Sequence, residues 1–139
     1  MKVKSLPLAG AAAMAAACAL FAMASPARAA ADSVVVFNEI HYHPADEINE
    51  TEWIELRNLQ GVDVDISGWR MRGGADFDFP EGTVVPGRGY LVIAKVPTQI
   101  AGALGPFDGN LSNSGEELRL ENRNRRVMDR LDYGDDGDW

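Results

Sequence analysis

Turn signals cut this chain into pieces too short for a long helix. Gly61, Gly68, Gly73-Gly74, Pro80-Glu81-Gly82, Pro86-Gly87 and Asn113-Ser114-Gly115 follow one another at close intervals. Glycine, proline and asparagine at such spacing punctuate strands rather than helices. The pieces between them alternate. In "TEWIELRN", Ile54 and Leu56 take one side while Trp53, Glu55 and Arg57 share the other, as the two-residue period of a strand requires. "VDVDIS" sets Val62, Val64 and Ile66 against Asp63 and Asp65, and "EELRLEN" alternates again. "SVVVFNEIHY" is rich in β-branched residues, "GYLVIAK" is a buried-type run, and "RVMDRLDYG" comes last. "TQIAGALG" is short and ends in glycine, so it reads as a loop with at most one helical turn. Short strands in this number predict an all-β domain, a sandwich or a barrel.

The first 29 residues stand apart from this pattern. Lys2 and Lys4 open an Ala, Leu and Met stretch without a single acid, and it reaches a small-x-small site at Ala27-Arg28-Ala29. That is the layout of a secretory signal peptide, with cleavage expected after Ala29. The stretch is alanine-dominated, interrupted by Pro7, and lacks a basic stop signal on its far side. The expectation is therefore export, with no membrane insertion after cleavage. Cys18 lies inside this leader. A lipoprotein site would place leucine three residues before the cysteine, and Ala15 is there instead.

Residues 30–139 remain, 110 in all and one domain's worth of chain. They contain no cysteine, so no disulfide holds the domain even in an oxidising compartment. The leader takes Lys2, Lys4 and Arg28 of the 13 basic residues and none of the 21 acidic ones, which leaves 10 basic residues and a formal charge of −11. Such a surface repels a phosphate backbone, so nucleic acid is not an expected partner.

Six segments also carry a resemblance, in order along the chain: "FNEIHYHP", "EWIELRN", "VDISGW", "FPEGTVVPGRGYLVIAK", "LSNSGEELRLEN" and "VMDRLDYG". Together they resemble the lamin tail domain family over nearly all of residues 34–134. The resemblance implies an immunoglobulin-like β-sandwich. The leader points away from a nuclear lamin and toward the secreted bacterial branch. There the domain accompanies other extracellular modules and serves recognition or anchoring. The implied partner is an extracellular protein or glycan. No catalytic residue comes with the resemblance.

Several side chains are candidates for chemistry. Trp53 shares a strand face with Glu55 and Arg57. It is either a half-buried cover or a platform on which a sugar ring stacks, with Glu55 and Arg57 beside it as hydrogen-bonding partners. Trp69 follows a Ser-Gly turn on the same face as Met71 and reads as a core plug. His41 and His43 form an H-x-H pair with Asp46 and Glu47 close by, a partial ligand set for zinc. Asp135, Asp136 and Asp138 crowd a glycine-broken loop, where calcium would find clustered oxygens, although the spacing is not that of an EF-hand. The residues require no cofactor. Glu39, Glu52 and Glu55 recur on neighbouring strands. They could serve a small carboxylate- or metal-dependent hydrolase, or pair with Arg57, Arg70 or Arg72 across strands. A deep polar pocket joining Glu39 and Glu55 would favour the hydrolase; an open surface would favour a binding module.

The sequence stops at "GDDGDW". In the bacterial relatives this region leads toward one more short strand. The expectation is a fragment of a longer secreted protein, or a domain closed without that strand. In the first case the segment Val127 to Tyr133 would lack an outer neighbour, and an open edge invites self-association.

Overall fold

The computed structural model describes residues 34–42 and 51–134. Ten strands follow one another: β1 (Val35–His41), β2 (Trp53–Asn58), β3 (Val64–Asp65), β4 (Arg70–Arg72), β5 (Ala75–Asp78), β6 (Val84–Val85), β7 (Tyr90–Ala94), β8 (Asp108–Gly109), β9 (Gly115–Glu121) and β10 (Val127–Gly134). A 3₁₀ turn, Pro97–Gln99, overlaps the start of the segment expected to be a loop. The strands form a three-stranded sheet, β1-β2-β7, a five-stranded sheet, β10-β9-β4-β5-β8, and a small ladder of β3 with β6. All pairings between these strands are antiparallel, and an isolated parallel bridge joins Ile93 to Leu104. The arrangement is the all-β, sandwich-like one expected from the turn spacing.

Alternation decides which side chains meet between the sheets. Ile54 and Leu56 of β2, Val35 of β1 and Ile93 of β7 are inaccessible to solvent, as are Met71, Leu118 and Leu120 on the facing sheet. Trp69, Phe79, Phe107 and Leu111 complete this core from the loops and turns around it. Trp69 is the plug that its position after Ser67-Gly68 suggested. Gly68 takes φ of +68°, in the left-handed region that favours glycine. That turn lets Gly68 N–H donate to Phe79 O at 2.9 Å and Trp69 N–H to Ile66 O at 3.0 Å.

One sequence expectation fails here. The alternation in "VDVDIS" does not extend to Val62, which is 69% exposed, and the strand is confined to Val64–Asp65. Local polar contacts override the apolar pattern. The Val62 carbonyl accepts from Asn58 Nδ2 at 2.8 Å, and Asp63 Oδ1 accepts from Gly87 N–H at 2.9 Å. These bonds hold the backbone in a turn and leave the valine facing water. The edge expected at β10 is there: among the described residues no strand is hydrogen-bonded to its outer side. β1 of the other sheet packs near this edge without pairing to it as a strand. At the β1 bulge between Phe37 and Glu39, Phe37 N–H donates to Asp129 Oδ2 at 2.8 Å. The rings of Tyr42 and Tyr133 meet farther along, with centroids 4.6 Å apart. The first and last of the described strands thus touch at two points. A side chain caps a backbone donor that the bulge would otherwise leave unpaired.

Candidate functional site

The strand β2 has two rows of side chains, and both concern function. Its outer row is Trp53, Glu55 and Arg57, the three residues that alternation had placed together. Register sets Trp53 between His41 of β1 and Ala94 of β7, Glu55 between Glu39 and Val92, and Arg57 between Val36 and Tyr90. Each has a partner. The Trp53 ring stacks on the His41 ring, with centroids 5.6 Å apart and planes 10° from parallel. Glu55 Oε1 accepts from Asn38 Nδ2 at 2.7 Å. The Arg57 guanidinium lies 5.5 Å from the centroid of Tyr90, a half-exposed ring. The Arg57 Nε has no hydrogen-bond partner among the described residues. The result is a strip with an aromatic group at each end and hydrogen-bonding groups between them.

Trp53 is half-buried, with one ring face given to His41. His41 is therefore part of the aromatic strip. His43, Asp135, Asp136 and Asp138, its would-be companions around a metal, lie outside the described residues, as do Asp46 and Glu47. Among the described residues, no group of three or more His, Cys, Asp or Glu side chains is placed to hold a metal ion.

The predicted carboxylate–arginine pairs across strands do not form as expected. Arg57 faces Tyr90 instead. Arg72 pairs with Asp78 and also donates to Met71 O at 2.7 Å, so it ties β4 to β5 rather than to a glutamate. Glu39 and Glu55 sit side by side on the outer face of the sheet, Glu39 exposed.

The inner row parts Glu52 from Glu39 and Glu55, with which the sequence grouped it, and adds Asn58, which sequence reasoning missed. It begins with Glu52 and ends with Asn58, and it is buried throughout: Glu52, Ile54, Leu56, Asn58. The signal was the parity count itself, which the apolar pattern had extended only to Ile54 and Leu56. Glu52 Oε2 accepts from Leu111 N–H at 3.0 Å, while its Oε1 has no partner among the described residues. Glu116 of β9 accepts from the next amide, Ser112 N–H, at 2.9 Å and from the Tyr133 hydroxyl at 2.8 Å. Burial pushes the Glu52 carboxyl above its ordinary range; the Leu111 N–H and the Lys95 charge oppose this, and the Glu116 charge adds to it. Tyr133 is likewise raised, by burial first and then by its bond to Glu116. The Lys95 ammonium donates to Gly109 O and lies over the Phe107 ring.

Comparison with protein families decides the kinship. A family model described as the Lamin Tail Domain matches residues 28–135. The chain belongs to the lamin tail domain family. Comparison with curated proteins returns no match. In this lamin tail domain, the two rows of β2 carry different kinds of chemistry. One is an outward strip of aromatic and charged groups; the other is an inward pair of polar anchors. Among the described residues, no helix is long and apolar enough to cross a membrane.

Proposed function

We propose that this lamin tail domain is a non-catalytic module of a secreted bacterial protein. It recognises an extracellular protein or glycan through the outer face of β1-β2-β7. The observation that carries this reading is the strip on that face, where Trp53 with His41, Glu55 with Asn38, and Arg57 with Tyr90 stand in line. Aromatic faces with hydrogen-bonding side chains between them suit the apolar face and hydroxyls of a sugar ring, and equally the side chains of a protein partner. Glu39 and Glu55 are neighbours on this face, not opposed across a cleft where a glycosidic bond would sit between them. The layout of the leader supports export, and the formal charge of −11 after its removal speaks against a nucleic-acid partner.

The test is binding of the exported chain to immobilised polysaccharides and cell-surface proteins, with Trp53→Ala and Arg57→Ala in parallel. Binding lost in both variants, with thermal unfolding still cooperative, is the expected result. Variants that bind as well as the parent would remove the outer face from consideration. Release of soluble sugar that ceases in Glu55→Gln would establish the hydrolase reading instead. N-terminal sequencing of exported material should begin at or near Ala30, and a retained Met1 would overturn the secretion part.

A further inference from the structure

Two carboxylates hold two successive amides of one segment. Glu52, just before β2, takes Leu111 N–H, and Glu116, on β9, takes Ser112 N–H. The carboxylates come from opposite sheets, so the segment is pinned where the sheets face each other. Just upstream, Lys95 holds Gly109 O. Gly109 belongs to β8, the end strand of the five-stranded sheet, which pairs with Ala75 and Asp76 and so covers the start of β5. Ionisable side chains therefore supply three ties to the segment 109–112.

The ties are not equally comfortable. Glu116 has two donors on Oε1, from Ser112 and Tyr133. Glu52 is 1% exposed, and its Oε1 meets no donor among the described residues. A neutral carboxyl tolerates that position; a carboxylate there lacks both water and a second hydrogen bond. The groups facing Glu52 are Lys95 at the end of β7, Glu116 on β9, Tyr133 on β10 and His41 on β1. Lys95 is the one fixed cation among them, and its ammonium is engaged by Gly109 O and the Phe107 ring.

We propose that Glu52 and Glu116 form a proton-operated latch on the segment 109–112, closed while Glu52 holds a proton and released as the pH rises. On release, the Glu52 carboxylate gains water, Leu111 and Ser112 lose their acceptors, and the β8 cover over the start of β5 loosens. The sign follows from linkage. A carboxyl that binds its proton more tightly when the latch is closed favours the closed form at low pH, and that preference is lost as the pH rises through its closed-state value. Between the ordinary value near 4.5 and the closed-state value, the opening equilibrium rises up to tenfold per pH unit, then levels off.

The test is amide hydrogen exchange of the Leu111 and Ser112 N–H groups across pH, corrected for intrinsic rates and compared with the Leu56 and Leu118 amides of the core. It is joined by a carbon-13 titration of the Glu52 side-chain carboxyl in the same unaltered protein. The expected result is a rise in opening at Leu111 and Ser112 beyond that of the core, its plateau at the midpoint of the Glu52 titration. Glu52→Gln should flatten the rise. A Glu52 carboxyl that titrates at its ordinary value would overturn the latch, and so would opening at Leu111 and Ser112 that tracks the core amides at every pH. Both readings come from the unaltered chain, so they decide the matter even if Glu52→Gln fails to fold.

Discussion

The buried row of β2 ends in a polar side chain at each end, and the two ends are unlike. At one end Asn58 is fully engaged. Its Nδ2 lies 2.8, 3.0 and 3.1 Å from the carbonyls of Val62, Val85 and Pro86, and its Oδ1 accepts from Gln60 N–H at 2.8 Å. At the other end Glu52 has one oxygen bonded and one without a partner among the described residues. Both are out of reach of water. The neutral amide offers donors and an acceptor and joins the β2–β3 connection to the end of β6, so it serves as a permanent rivet. The carboxyl can change its charge, and its hold on Leu111 varies with conditions. Burial alone thus does not make a polar residue structural in the same sense; the count of satisfied groups does.

The comparison can be broken most severely at Asn58. Asn58→Leu keeps the branched outline but strands the Val62, Val85 and Pro86 carbonyls and the Gln60 N–H, and should cost about 3–5 kcal/mol by denaturant titration. A loss below about 1 kcal/mol would show that the rivet is dispensable.

Glu52→Gln sharpens the contrast through pH. The folded carboxyl is raised, so its contribution to stability is complete below about pH 4.5 and fades as the pH rises through the folded value. The parent should lose ground to the variant by up to about 1.4 kcal/mol per pH unit within that window. Parallel denaturant titrations from pH 4 to pH 8 measure it, and a constant difference between the two proteins would contradict it.

A smaller effect probes the same end from the other sheet. A Cβ added at Gly74 would lie 1.9 Å from both carboxylate oxygens of Glu116. Gly74→Ala should push Glu116 off Ser112 and cost about 1–2 kcal/mol, leaving the Asn58 end untouched. The smallest effect belongs to the outer row. Trp53→Ala loses a half-buried ring and its stack on His41, about 1 kcal/mol in a thermal melt, while ligand binding on that face should fall far more.

Much of this was legible beforehand. The turn residues marked the strands, and "EWIELRN" told which of its side chains face inward. The Ser-Gly pair before Trp69 announced a core tryptophan. Other features were hidden for definite reasons. The inward parity of Ile54 and Leu56 extends to Glu52 and Asn58, but an apolar pattern carries no sign of a buried polar residue. Val62 misled because the Asn58 amide, four residues earlier, holds its carbonyl in a turn. The arginine pairings misled because an aromatic ring and backbone carbonyls compete for a guanidinium as well as carboxylates do. The bond from Leu111 to Glu52 spans 59 residues, and no local pattern announces a contact that only the closed sandwich creates.

The seam between β1 and β10 has one more implication. Phe37 meets Asp129, and farther along both strands Tyr42 meets Tyr133, so the first and last strands run in the same direction. The described chain therefore enters at Val34 and leaves at Gly134 from opposite ends of the domain, about 20 Å apart at the rise of an extended strand. Tension drawn through the polypeptide would pull the two strands lengthwise past each other. The seam would be loaded in shear, its ties strained together rather than peeled one by one. Under such a pull the bond of Phe37 to Asp129 and the contact of Tyr42 with Tyr133 would bear load before the core behind them is reached.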